Sequence, residues 1–183
     1  MFKKQILFDQ LLKHTKFVTL TSNIHYFFFI SLFLIQLSIF TDYGFSSDEE
    51  ISRNNGLIAY NYIIEILNLD FLNKYSGLPN FEDYNDKDYG VIFELLLIFI
   101  EKIFSLSTSK HIYLSRHFFV SLFFLIASIY FYLTLRKFFS KNISLLGTII
   151  FVFHPRIFAQ SFYNSKDIIF LVFFCISNFY FVN

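Results

Sequence analysis

The chain contains no tryptophan, one cysteine, one methionine and two prolines in 183 residues. A single thiol, Cys175, excludes an intramolecular disulfide, and its position inside an apolar run gives no spacing for a metal site. The net charge of +1 leaves no basic field for nucleic acid. Repeats, low-complexity tracts and soluble linkers are missing too. What the chain does have is apolar surface: hydrophobic residues make up 55 % of it, and thirty residues are Phe. Abundant Phe, Ile, Asn, Lys and Tyr without Trp read in part as AT-rich codon usage, so the Phe runs carry no functional weight. Apolar runs this long and frequent fit an integral membrane protein.

Four stretches are candidate spans, at residues 24–40, 117–135, 143–153 and 168–183. A fifth, residues 91–106, is interrupted by Glu94, Glu101 and Lys102. At roughly 2.5 to 3.5 kcal/mol per charge at a helix centre, it inserts poorly and is expected to lie at the interface. Basic residues orient the chain. Lys3, Lys4, Lys13 and Lys16 in the tail (1–23), and Arg136, Lys137 and Lys141 after the second span, mark the cytoplasmic side. The expected fold is therefore all-α, with about four transmembrane helices in a bacterial inner membrane and a cytoplasmic N-terminus. Residues 41–116 form a large external loop holding twelve of the fourteen acidic residues. The loop at 154–167 shares its face.

The first apolar run leads into Thr41, Asp42 and Tyr43 rather than a small-residue cleavage site, so it reads as a retained anchor. Within the external loop, residues 48–68 read as an amphipathic helix capped by Ser46 or Ser47, with Asp48, Glu49 and Glu50 beside the positive end of its dipole. A polar turn region with Gly77 and Pro79 follows, then a second interfacial helix over about 89–106. The last span offers about 24 Å of helix against a core near 30 Å. Further chain is expected beyond Asn183.

Two polar clusters share the external face. Asp48 and Glu49 stand just beyond the first span, where one carboxylate can deprotonate an incoming hydroxyl while its neighbour holds the acceptor or a divalent cation. They equally fit an ordinary acidic helix start. In HPRIFAQSFYNSKD, Arg156 can grip a phosphate bidentately and Lys166 as a point charge, and either can instead snorkel or cap. Asp167 fits the site or an N-cap, and Arg116 and His117 at the start of the second span are open in the same way. Tyr89, Gly90 and Glu94 can line a pocket or begin a helix. His154 has no co-ligand at suitable spacing and reads as packing or interfacial.

The order of these features resembles the N-terminal part of a polytopic GT-C glycosyltransferase, in the branch of protein O-mannosyltransferases, lipid A aminoarabinose transferases and bacterial Rgt-type transferases. The residues that carry the likeness are SSDEEISRNNG after the first span, DYGVIFELL from Asp88, Arg116 at the second span, and HPRIFAQSFYNSKD after the third. The resemblance implies sugar transfer from a polyprenyl-phosphate donor to a hydroxyl of a lipid, glycan or protein acceptor, in contact with membrane lipid. It implies Asp48 as base or acceptor-binding group with Glu49 as companion. It places Arg156, Lys166 and Asp167 where the donor's phosphate or a divalent cation is held, and Asn164, Arg116, Tyr89 and Glu94 stand beside them as further substrate-binding candidates. It also implies further spans beyond residue 183. A transporter or channel subunit, or a non-catalytic membrane fragment, is the competing reading. Charges gathered at one face without a visible repeat weigh against a conduit.

Overall fold

A computed structural model describes residues 23–69, 72 and 74–182. The tail lysines that enter the orientation argument lie outside these residues. The described residues form seven helices and no strand: α1 (Asn23–Ile39), α2 (Ser47–Ile66), α3 (Ile92–Ile103), α4 (Ser109–Leu135), α5 (Lys141–Val152), α6 (Pro155–Tyr163) and α7 (Ser165–Phe181). The all-helical expectation holds. Among the described residues, α4 is the one helix able by length and composition to cross a membrane alone, with 27 residues and a mean hydropathy of 2.2 in its most apolar stretch. The pair α5 and α6, bent by 65°, is a second candidate as a broken span or re-entrant loop.

Helix α4 is the axis. Leu32 of α1, Val120 and Phe124 of α4, Val152 of α5 and Ile168 of α7 form one buried cluster, and Ala127, Val172 and Cys175 form another. Residue 120 shares a cluster with 168, 127 shares one with 172 and 175, and the Tyr130 ring meets Phe179 at 5.5 Å. This near-constant offset makes α4 and α7 parallel neighbours. Their N-terminal ends lie by α2 and α3. At the opposite ends, Lys137 donates to the Phe179 carbonyl and its ammonium sits 3.8 Å from the centre of that ring.

Polar side chains point inward here. Gln36 donates to the Ser121 carbonyl at 3.0 Å, and the hydroxyls of Ser128, Ser144 and Thr148 bond to carbonyls of their own helices. Small residues and self-satisfied hydroxyls at helix contacts suit packing in lipid. Large apolar side chains point outward: Phe27, Ile30 and Leu34 on α1, Ile143, Leu146 and Ile150 on α5, and Phe170, Phe173 and Phe174 on α7.

Helices α2 and α3 form a second layer around Leu57, Tyr60, Ile64 and Ile98. Helix α3 has 12 residues, about 18 Å, too short to cross a hydrocarbon core. Its outer face carries Ile92, Leu96, Phe99 and Ile103, while Glu94 and Glu101, seven residues apart, turn inward. Gly56 lets α2 and α3 approach closely. A Cβ there would stand 2.7 Å from both Glu94 Cβ and Ile98 Cδ1. Gly56→Ala is therefore expected to destabilise the protein by about 1–3 kcal/mol, the usual range for overpacking. An unchanged thermal midpoint would show that α3 yields freely.

Two boundaries differ from expectation. Helix α4 begins at Ser109, eight residues before the apolar run, so Arg116 and His117 lie inside the helix rather than at its start. Thr108 takes the N-cap position, and the intervening polar turn is helical because its long charged side chain is buried among partners. The expected loop at 154–167 is instead mostly helix α6. His154 and Pro155 break the path from α5, and Pro155 occupies the first helical position, where its missing N–H costs nothing.

Candidate functional site

Glu49, the third residue of α2, folds back to accept the Ser46 backbone N–H at 2.9 Å, which fixes the helix start. Its other oxygen meets His117 Nε2 at 2.8 Å, and both side chains are buried. Glu49 is thus not a free companion to Asp48. Consecutive positions on a helix point about 100° apart, so Asp48, next in line, stays exposed.

Five side chains from four helices form a buried chain of bonds behind the site. Arg53 of α2 donates to Glu101 of α3, with Nη2 to Oε2 at 2.8 Å and Nε to Oε2 at 3.1 Å. The second partner of Glu101 is Arg116 of α4, whose Nη1 lies 3.4 Å from Oε1. Arg116 also donates through Nη2 to Glu94 Oε2, and Ser165 Oγ of α7 donates to Glu94 Oε1 at 2.6 Å. Two guanidinium groups and two carboxylates balance, which is what makes burial of four charges tolerable. Burial alone would lower the Arg53 pKa, but the hydrogen bonds and charge of Glu101 outweigh it and shift the value upward.

Ser165 is the hinge between this network and the surface. Asn164 ends α6 and caps α7: its Oδ1 accepts the Asp167 N–H at 3.1 Å, and its Nδ2 donates to the Asp167 carboxylate at 2.8 Å. Asn164, rather than Asp167, is the N-cap. Lys166 projects outward, its Nζ 4.3 Å from the centre of the Tyr89 ring, a cation–π distance.

These placements form two adjoining clefts. A polar one of about 150 Å³ is bordered by Ser46, Asp48, Ser52, Tyr163, Lys166 and Asp167. A larger one of about 450 Å³ lies on the far side of Lys166 and Asp167, lined by Tyr89, Ile92, Phe93, Glu94 and Ile169. Asp48 and Lys166, distant in sequence, therefore share a cleft. Arg156 does not join them. It lies exposed on the first turn of α6 and forms no ion pair among the described residues. Arg116 and Glu94 support the clefts from below through their bond. Among the described residues, no three His, Cys, Asp or Glu side chains gather as a metal cage. Asp48 and Asp167 give this cleft two carboxylates.

Sequence reasoning missed the partners Arg53, Glu101 and Ser165. One signal was present: Glu94 and Glu101 stand at a seven-residue spacing in an apolar helix, which puts both on one face. Comparison with protein-family models, curated proteins and solved structures finds no match.

Proposed function

We propose that the chain crosses the membrane four times and acts as a glycosyltransferase, moving a sugar from a polyprenyl-phosphate donor to a hydroxyl acceptor at the external face of a bacterial inner membrane. The observation that carries this reading is the cleft shared by Asp48 and the segment 164–167. Asp48 of α2 and Lys166 of α7 border it from different helices, and the Lys166 ammonium stands over the Tyr89 ring on the side of the neighbouring cleft. Asp48 takes the proton of the acceptor hydroxyl as its oxygen attacks the anomeric carbon. The bond from that carbon to the phosphate oxygen breaks, and Lys166 stabilises the charge left on the polyprenyl phosphate. The neighbouring cleft at Tyr89, Ile92, Phe93 and Ile169 is apolar enough for the first units of a lipid carrier.

Three features support four crossings. If α4 spans the membrane, the parallel α7 enters from the same side, so the chain between them has to return. Helices α5 and α6 supply about 31 Å of helix along their path for that, with the 65° bend between them. Helices α1, α5 and α7 each leave large apolar side chains exposed at helical spacing, as a lipid-facing surface would. Arg136, Lys137 and Lys141 lie at the end remote from the clefts, as a cytoplasmic basic flank would.

The test uses the full chain in lipid nanodiscs with a photoactivatable polyprenyl phosphate. Capture is expected at residues 89–93 and 165–169 and should fall about 10- to 100-fold in Lys166→Ala, the usual scale for a charged hydrogen bond of roughly 1.5–3 kcal/mol. Arg156→Ala should change little. Equal capture by wild type and Lys166→Ala would remove the donor assignment.

A further inference from the structure

The first turn of α2 separates two spaces. Asp48 borders the donor-side cleft, whereas Glu50 borders an open cleft of about 530 Å³ between the α1–α2 connection and the first turns of α4. Tyr43, Phe45, Lys110, Tyr113 and His117 also line it. Nothing in the transfer chemistry above uses these groups.

The walls are aromatic. Tyr43 stacks on Phe162 at 4.1 Å, which fixes the plane of its ring, and Phe45 meets Tyr113 edge to face at 4.5 Å. The Tyr43 hydroxyl has its pKa raised by burial, and by Tyr163 and Asp42, so it remains a neutral donor. At the rim, Glu50 and Lys110 are exposed and of opposite sign. A balanced rim does not select an anion, and charges beside a histidine do not suit a lipid tail.

His117 supplies the specific demand. Its Nε2 is committed to Glu49, and its buried Nδ1 has no hydrogen-bond partner among the described residues. A buried polar atom left unpaired in this way is destabilising, so a ligand that satisfies it gains affinity. In the neutral ring that donates Nε2–H to Glu49, Nδ1 carries a lone pair that needs a donor. Aromatic walls, a neutral rim and an unmet acceptor match a ligand with apolar C–H faces and several hydroxyls.

We propose that this second cleft binds a carbohydrate, with Tyr43 and Tyr113 against its ring faces and His117 Nδ1 accepting a hydrogen bond from one of its hydroxyls. Its role as the seat of a sugar-bearing acceptor rests on the transferase reading; the binding itself does not. Glu49 is then a positioning residue that fixes the tautomer of His117.

The experiment is saturation-transfer NMR on the full chain in nanodiscs, with methyl hexopyranosides and methyl pentopyranosides as probes. Saturation of at least one glycoside is expected, falling at least fivefold in Tyr113→Ala and two- to threefold in Lys110→Ala. Lys110 is exposed, so its variant tests the cleft even if the Tyr113 variant folds poorly. In protein labelled with ¹⁵N-histidine, the signal absent from His117→Gln should move on glycoside addition. Glycoside binding without transfer from any polyprenyl-phosphate sugar would support the cleft and count against the transferase. Transfer without glycoside binding, or binding undiminished in both variants, would overturn the cleft assignment.

Discussion

Arg116→Met is expected to lower stability by about 3–5 kcal/mol, the usual cost of removing one partner from a buried ion pair. Glu101 would keep Arg53, but Glu94 would retain only the Ser165 hydroxyl, at 2.6 Å. A hydroxyl cannot neutralise a buried carboxylate. The expected consequence is loosening of α3 from α4 and α7, where Glu94 is the meeting point. The lone thiol reports it: Cys175 is buried in the α4–α7 contact, so a maleimide dye should react only as the bundle opens. For a chain of this size the thermal midpoint should fall by roughly 10 °C, given about 2–4 °C per kcal/mol. Adding Glu94→Gln should restore much of the loss, since a neutral amide keeps the Ser165 bond without the stranded charge. An Arg116→Met protein as stable as wild type would mean that packing alone holds the four helices together.

That network also marks where the sequence stops being legible. Ser46 followed by Glu49 is a local signal, and the start of α2 follows from it. The apolar runs likewise give α1, α4, α5 and α7 to within a few residues, apart from the N-terminus of α4. There, hydropathy stops at His117 because Arg116 is charged, yet the helix continues upstream because that charge is paired inside. Helix α6 was hidden by its polar neighbours, although Pro155 at its start, Asn164 at its end and Ile157, Phe158, Ser161 and Phe162 along one side carry a helical period. The pairings Arg53 with Glu101 and Glu49 with His117 join residues 48 and 68 positions apart. No local spacing encodes such a choice. The shared face of Asp48 and the 164–167 segment was legible only through counting crossings, which cannot say that Lys166 enters the cleft and Arg156 stays outside it.

Asp48→Asn separates the two readings that the sequence leaves open. As the second residue of α2, Asp48 stands at the positive end of the helix dipole. If that is its whole role, the substitution costs about 0.3–1 kcal/mol of stability and nothing else. If Asp48 is the base, turnover should fall about 10²- to 10⁴-fold, because an amide cannot take the hydroxyl proton while keeping similar size and hydrogen bonds. The loss should appear in kcat with little change in KM for the donor, since Lys166 and the apolar cleft are untouched. The measurement is transfer of labelled sugar from a polyprenyl-phosphate donor by the complete membrane protein, with Cys175 protection run in parallel to exclude unfolding. Near-normal kcat with intact protection would return Asp48 to the dipole and leave Lys166 as a binding group without a base opposite it.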